Sequence, residues 1–407
     1  MQSLRRALFS RARIKVKPVA VLQGDAGDAL RDDYLFALQS LARRCVAEIT
    51  AIKVDGDDAL LVTDDAVASQ LLNSVSQCGP MPCIVAPCVA MLRGRYPLLA
   101  LDKEEVWAPA REAFDDFVAH PSHEAMEAAV REQVALLRPG TLDAMQFARR
   151  VAVSALVAAL GCVRLAPGDL EGAIASVEFF LSELPARAYS DDAALREDYL
   201  SPTPANVELA KHADALAAAL QRASCNVSLL AEAVLSSFLP LTTSVCMSLH
   251  LLAVNAAAQT ALRADAKGGV DAAVVWESLR LCPPFPLLAR EPRDALQLGG
   301  FVVPARSRLW VPLWWLGKSA RIWGVDVDDF RPARWTAGAQ LPPGGNMAFG
   351  QGRRACPGVA VATDIHAATL RALVRCFEIR SKSKGAAKLP CAFTGVRSCA
   401  LGRDCLL

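Results

Sequence analysis

One cysteine of this chain lies in a loop whose neighbours suit it to bind a metal. The stretch FGQGRRACPG, residues 349–358, carries Cys356 directly behind two arginines, and a helix-forming run follows it. A thiolate at the start of a helix is stabilised by the helix dipole and by nearby guanidinium charge. Glycines at 350 and 352 allow sharp turns and close approach of a flat ligand. The pattern favours haem iron as the metal, against a buried free cysteine in a turn.

The composition predicts a large, mostly helical protein from a reducing compartment. The chain has 407 residues, of which 53% are hydrophobic and 6% aromatic, and its formal net charge is +2. This is enough apolar material for a large core, and the small net charge argues against nucleic acid as a partner. The 13 cysteines are scattered and odd in number, which is typical of proteins that keep their thiols reduced.

The amino terminus is basic. Residues 1–24 contain four arginines, two lysines and no acid, a pattern typical of mitochondrial transit peptides. A short basic arm on a protein elsewhere inside the cell is the alternative. We expect residues 25–407 to form a single domain without an amino-terminal membrane anchor, and a peripheral contact with a membrane stays open.

A long uncharged run occupies residues 233–262 and is interrupted only by His250. It could span a bilayer by length, but its serines, threonines and internal proline favour a helix buried at the centre of a soluble core. Pro240 removes one helix hydrogen bond and frees the carbonyl of Ser236. We expect a bend there.

The cysteine loop resembles the haem-binding loop of the cytochrome P450 family, in which six residue types recur at the spacing of Phe349, Gly350, Gly352, Arg354, Cys356 and Gly358. Three further motifs of the family appear in the same order along the chain. They are W-x-x-x-R at Trp107 and Arg111, E-x-x-R at Glu277 and Arg280, and F-x-P-x-R-W from Phe330 to Trp335.

The resemblance implies a mainly α fold with small β-sheets, in which haem b lies between a long central helix and the cysteine loop with its following helix. Cys356 would bind the iron. The residues implied to hold the haem are Trp107, Arg111, Arg290, Phe349, Gly350, Gly352, Arg354 and Gly358. Of these, Trp107, Arg111, Arg290 and Arg354 would hold its propionates. A buried network of Glu277, Arg280 and Arg334 would hold the loop that carries Cys356. The position of Arg290 resembles the mitochondrial type of the family.

The other face of the haem departs from the family pattern. Aligned on Thr242 and Thr243, the chain retains the threonine at Thr242, which the resemblance implies to be catalytic through a water that it positions. Leu241 replaces the usual acid, and Phe238 replaces a small residue that leaves room over the iron. The resemblance places Leu287 and Leu288 in the substrate pocket with Phe238, together with part of the loop 77–97.

The function implied by the resemblance is a monooxygenase. It would hydroxylate a small lipophilic substrate of sterol or lipid type, using O2 and two electrons from a ferredoxin-type or flavoprotein donor. Two alternatives stay open. One is a haem-containing lyase or isomerase of lipid hydroperoxides, and the other is a catalytically impaired haem-binding protein whose pocket Phe238 blocks.

Overall fold

The computed structural model is mainly helical, with short strands that form three small sheets. It describes residues 17, 19–32, 34–74, 78–79, 98, 101, 104–188, 203–224, 226–265, 268–336, 341–342, 345–381 and 405–406. Most of the predicted transit segment and most of the loop 77–97 lie outside these residues. The predicted class, mainly α with small sheets, is confirmed.

The helices, named α1 to α14 in chain order, are Gly27–Asp32, Tyr34–Arg44, Asp65–Asn73, Glu104–Val118, His123–Ala135, Ala144–Gly161, Pro167–Ala188, Pro204–Leu220, Val227–Ala253, Ala256–Ala264, Val270–Leu281, Leu313–Leu316, Ala320–Trp323 and Val359–Cys376. Two 3-10 turns are Pro332–Trp335 and Gly352–Arg354.

The strands, named β1 to β11, are Ala20–Asp25, Ile49–Val54, Asp57–Val62, Cys78–Gly79, Thr141–Leu142, Leu288–Pro292, Leu296–Leu298, Phe301–Val303, Leu309–Val311, Arg380–Ser381 and Cys405–Leu406. The largest sheet has the order β1-β2-β3-β9-β6-β4. Strand β1 starts inside the segment 1–24 and pairs in parallel with β2, so part of the predicted arm belongs to the sheet.

A hairpin forms between β2 and β3, with Ile49 opposite Val62. Its turn needs positive φ angles, which Asp55 (54°) and Gly56 (81°) supply. The carboxylate of Asp25 accepts backbone N–H bonds from both turn residues and from Gly27, at 2.6 to 2.9 Å. These bonds lower the pKa of Asp25 and fix the hairpin to the edge strand.

The centre of the molecule is the antiparallel pair α6 and α9. The Sγ of Cys246 in α9 donates to the carbonyl of Ala144 at the start of α6, at 3.2 Å. At the other end of α6, a Cβ on Gly161 would lie 2.2 Å from the carbonyl of Ala223. Only glycine fits at such a close approach, so the end of α6 packs directly on the connection between α8 and α9.

The uncharged run does not form one helix. Helix α9 ends at Ala253 and α10 begins at Ala256, because the side chain of Asn255 bonds back to the carbonyl of Leu251 at 2.7 Å. By length and composition, α6 and α9 are the helices among the described residues that could cross a membrane. Their apolar windows are 61% and 78% buried, as in core helices.

A buried histidine joins α9 to the helix that follows the cysteine loop. His366 Nε2 lies 2.9 Å from the Oγ of Ser248, and both residues are almost fully buried. Desolvation lowers the pKa of His366 to about 3, so the ring is neutral at physiological pH. The bond fixes α14, and with it the end of the cysteine loop, relative to α9.

Candidate active site

The loop around Cys356 folds through three short backbone hydrogen bonds. The N–H of Cys356 donates to Phe349 O at 2.8 Å, Gly350 N to Met347 O at 2.8 Å, and Ala355 N to the carbonyl of residue 352 at 3.0 Å. Gly350 adopts a φ of 69°, which L side chains rarely adopt. The loop therefore presents the cysteine from a tight, preformed turn.

Gly352 is required for a second reason. Its φ is 71°, and a Cβ there would lie 2.8 Å from the carbonyl of Leu72 and 2.9 Å from the Cα of Asn73. The loop thus packs directly on the end of α3. Gly358 is less constrained, since a Cβ there would meet the Sγ of Cys356 at an ordinary 3.9 Å.

The residue Cys356 is exposed, although protein closely surrounds its thiol. Desolvation raises its pKa above the usual value, while the N–H of Gly358 and the charge of Arg111 lower it. The helix terminus and an arginine thus act in the expected direction, but burial outweighs them. The cysteine is a thiol at neutral pH, and a bound cation would be needed to hold it as the thiolate.

Arg111 binds the cysteine loop itself. Its Nε lies 2.8 Å from both carboxylate oxygens of Asp115, one helical turn away. Its Nη1 donates to the carbonyls of Arg353 at 3.0 Å and Ala355 at 2.7 Å. Nη2 takes no part in these bonds, and its two N–H groups suit a carboxylate. One side chain can therefore both shape the loop and hold an acidic ligand group.

Trp107 is 2% exposed and lies among three arginines. The guanidinium carbons of Arg354, Arg353 and Arg111 are 4.6, 5.5 and 6.0 Å from its ring centroid. Arg354 also donates from Nη1 to Leu101 O at 2.9 Å. The structure thus brings together three of the four residues predicted to hold the propionates. Their binding of a propionate stays a prediction.

The fourth, Arg290, is half-buried on β6. Its Nη1 donates to the carbonyl of Ala289 at 2.9 Å. Leu287 and Leu288 lie just before it, each partly buried against a different core cluster. The contact of Arg290 with haem and the contacts of Leu287 and Leu288 with substrate stay predictions.

The carboxylate of Glu277 is fully buried and accepts five N–H bonds. Arg280 donates from Nε at 2.9 Å and Nη2 at 2.8 Å, and Arg334 from Nε at 3.3 Å. The indole of Trp335 donates at 2.8 Å and the backbone of Arg331 at 2.9 Å. The motifs identified the charged members. The other two donors were missed, although the tryptophan stands in the F-x-P-x-R-W motif.

The two guanidinium groups extend this network to the backbone before the loop. Arg280 Nη1 donates to the carbonyls of Gly317 at 2.6 Å and Val327 at 2.7 Å. Arg334 donates to Trp323 O at 3.2 Å and Asp326 O at 2.5 Å. A buried charge is tolerated only when its hydrogen bonds are satisfied, and these backbone carbonyls satisfy the arginines. The network thus fixes the meander between α12 and the 3-10 turn.

Two residues that the sequence reasoning missed connect this network to the cysteine loop. Asn346 donates to Trp276 O at 3.1 Å and accepts from Ala348 N at 2.9 Å. The ring of Trp276 meets Phe349 edge to face, with centroids 5.6 Å apart. Trp276 directly precedes Glu277 in the sequence, and its aromatic side chain beside the E-x-x-R motif is the feature by which it could have been predicted. No cluster of three or more His, Cys, Asp or Glu suited to a metal exists in the described part of the chain.

The burial of its side chains shows which face of the long helix α9 packs into the core. Phe238 and Leu241 are 3% and 4% exposed and belong to the largest core cluster. Ser236 is exposed, and Leu239 and Pro240 are half-buried. The helical period places 238 and 241 on the core side and 236, 239 and 240 on another side. The structure therefore does not place Phe238 on the accessible face.

Thr242 is 1% exposed, and its Oγ1 has no hydrogen-bond partner within the described residues. The predicted catalytic role of Thr242 and the predicted pocket contact of Phe238 stay predictions. The accessible face of α9 carries a serine, a leucine and a proline, and no acid.

Replacing Glu277 by Gln should destabilise the protein by about 3 kcal/mol or more, because five donors would then face a neutral amide in a buried site. Chemical denaturation measures this change. The matched control is Glu208→Gln, which also removes a carboxylate from an i,i+3 pair, with Lys211, but in an exposed place. The control should be indistinguishable from wild type. Equal small effects of both variants would contradict the network's role.

The two faces of α9 should respond differently to a new acid. Leu241→Asp buries an unpaired carboxyl and should cost about 3 kcal/mol or more of unfolding free energy. Leu239→Asp should cost much less, because its side chain reaches the accessible face. Thermal unfolding of the two variants measures the difference. Equal destabilisation, or the reverse order, would show that the register of α9 is wrong.

Comparison with known proteins supports one family. A sequence model described as cytochrome P450 matches residues 271–395. Relatives include the trans-cinnamate 4-monooxygenase of Populus kitakamiensis, 42% identical over 114 residues, and cytochrome P450 71D18 of Mentha gracilis, 38% identical over 89 residues. The first match covers 26% of this chain and 22% of the relative, and the second 21% and 18%. The matched segment therefore spans about a fifth of these relatives.

The fold likeness extends over most of the chain. The crystal structure of CYP175A1 from Thermus thermophillus superposes with a TM-score of 0.69 at 21% sequence identity, covering 89% of this chain and 94% of that one. The comparisons do not support the mitochondrial type that Arg290 indicated, since the sequence relatives named above are plant proteins. The sequence likeness to cytochrome P450 proteins thus covers residues 271–395, and the likeness of fold extends over most of the chain.

Proposed function

We propose that the chain is a haem-thiolate monooxygenase. It inserts one oxygen atom of O2 into a C–H bond of a small lipophilic substrate and takes two electrons from a redox partner. The observation that carries the proposal is the exposed residue Cys356 in a glycine loop that is held both by Arg111 and by the Glu277 network.

The residues present fit a haem group. The residue Cys356 is exposed, and the N–H of Gly358 and the charge of Arg111 favour the anionic form of its sulfur. Arg111 and Arg354 beside Trp107 suit the two propionates of haem b. When bound through a thiolate, haem supplies the redox chemistry that cleaves O2.

The residues on the Cys356 side of the haem and those on the α9 side would have different roles. Cys356 provides the thiolate, and Arg111 orients the peptide that precedes it through Ala355 O. On α9, Leu239 and Pro240 give an apolar wall that excludes water from a lipophilic substrate. Pro240 has no N–H, so the carbonyl of Ser236 loses its helix donor and can accept a bond from water.

Proton delivery is the weak point of this site. The sequence of α9 contains one carboxylate, Glu232, which is 6% exposed and accepts the N–H of Leu98 at 2.5 Å. It lies about two and a half turns before Leu241. A general acid must be within reach of the group it protonates, directly or through water. A water molecule bound to the carbonyl of Ser236 would have to deliver the proton in place of the missing acid.

The substrate class, electron donor and compartment are parts of the same proposal. The apolar accessible face supports a lipophilic substrate of sterol or lipid type. A ferredoxin-type protein or a flavoprotein reductase would supply the electrons. The acid-free basic segment at the amino terminus supports a mitochondrial location, and an intracellular location elsewhere is the alternative.

A second candidate function is a lyase or isomerase of lipid hydroperoxides. The lack of an acid on the accessible face of α9 favours it, because such a reaction needs neither external electrons nor proton delivery to bound oxygen. A haem-binding protein with a pocket blocked by Phe238 is less favoured, because Phe238 is 3% exposed in the core.

A carbon-monoxide difference spectrum of the reduced protein tests the ligation. Wild type should show the shifted Soret band of a thiolate-bound haem, and Cys356→Ser should lose it. Cys376→Ser, which changes an exposed cysteine at the end of α14, should keep it. A shifted band that survives in Cys356→Ser would refute the assignment of Cys356.

Coupling between electron use and product is expected to be poor, because no acid lies beside the retained threonine. Measuring reductant consumed, hydrogen peroxide released and product formed in one turnover assay gives the ratio. Most electrons should appear as peroxide. Product formed one-for-one with reductant contradicts this prediction, and turnover of a lipid hydroperoxide without reductant would favour the second candidate.

A further inference from the structure

A continuous row of aromatic rings leads away from the cysteine loop. Phe349, whose carbonyl accepts the N–H of Cys356, meets Trp276 with ring centroids 5.6 Å apart. Trp276 stacks on Trp335 at 6.0 Å, and Trp335 meets Trp323 at 5.6 Å. At such centroid separations the ring edges are in van der Waals contact. The three tryptophans therefore form one electronically coupled series.

The charges around the series differ from ring to ring. Trp335 donates its indole N–H to the carboxylate of Glu277 at 2.8 Å, and a nearby anion stabilises positive charge on a ring. Trp323 has the guanidinium of Arg280 5.3 Å from its centroid, which disfavours positive charge there. Trp107, outside the series, has three guanidinium groups around it.

We propose that Trp276, Trp335 and Trp323 form an electron relay. It carries electrons inward to the Cys356 centre when that centre is oxidised without a substrate, so that positive charge moves towards the surface. The inference rests on the proposed haem function. The relay is a protective activity, distinct from substrate oxidation. Poor coupling makes such a relay useful, because oxidising equivalents that do not react with a substrate would otherwise oxidise the loop and its cysteine.

Each passage moves one electron inward and one positive charge outward, and no bond forms or breaks. The oxidant is an oxidising equivalent left at the metal centre by a peroxide. Trp276 gives up an electron to it, Trp335 refills Trp276, and a one-electron donor in solution, such as ascorbate, refills Trp335 by way of half-buried Trp323. The indole proton of Trp335 stays in its bond to Glu277. The charge should reside longest on Trp335.

The experiment mixes the ferric, haem-loaded protein with hydrogen peroxide in the absence of substrate, followed by rapid freezing and electron paramagnetic resonance. Wild type should give a tryptophan radical whose signal narrows when ring-deuterated tryptophan is incorporated. Trp335→Phe should lose the signal. Trp276→Phe should also lose it while leaving the hydrogen bond of Trp335 to Glu277 in place. In Trp323→Phe the radical should persist longer when ascorbate is added.

Trp310→Phe is the matched control, since this half-buried tryptophan lies on β9 of the large sheet. It should leave the radical unchanged. A radical that persists in both Trp335→Phe and Trp276→Phe, or no tryptophan radical in wild type, overturns the relay. The carbon-monoxide spectrum of each variant reports haem loading separately. A normal spectrum without a radical refutes the relay alone, whereas an absent thiolate band in wild type refutes the proposed function.

Discussion

The buried carboxylate of Glu277 is the interaction on which the site depends. It gathers donors from its own helix, from the 3-10 turn and from the backbone of Arg331. The side chains of Glu277 and Arg280 are fully buried and that of Arg334 is 10% exposed, so loss of the acceptor would leave buried donors unsatisfied. The helix and the meander consequently hold one geometry. Asn346 and Trp276 connect the helix to the loop of Cys356 through a hydrogen bond and an aromatic contact, so the position of the loop follows from that of the helix.

The loop is held from a second side by Arg111, and this has a chemical consequence. The same guanidinium that binds the carbonyls of Arg353 and Ala355 also lowers the pKa of the thiol. Desolvation still prevails, so the free protein carries a thiol and a cation completes the site. Structural support and electrostatic tuning of the cysteine thus come from one side chain.

Much of this half of the molecule could be predicted from sequence, because its residues occur in short motifs with fixed spacing. Glu277, Arg280 and Arg334 meet as the E-x-x-R and F-x-P-x-R-W patterns predicted. The face of α9 could not be predicted in the same way. Two threonines fix a register only within one or two residues, and such a shift turns the helix by about 100° or more. Packing of Phe238 against the core decided it.

The break after Ala253 could not be predicted from the hydrophobicity of the run, because it is the side chain of Asn255 that ends the helix.

The central claim is that Cys356 is the sulfur ligand of a bound haem iron. X-ray absorption at the iron edge of the haem-loaded protein tests it most directly. The account predicts one sulfur in the first coordination shell of wild type and none in Cys356→Ser. A shell of nitrogen and oxygen alone in wild type would contradict it.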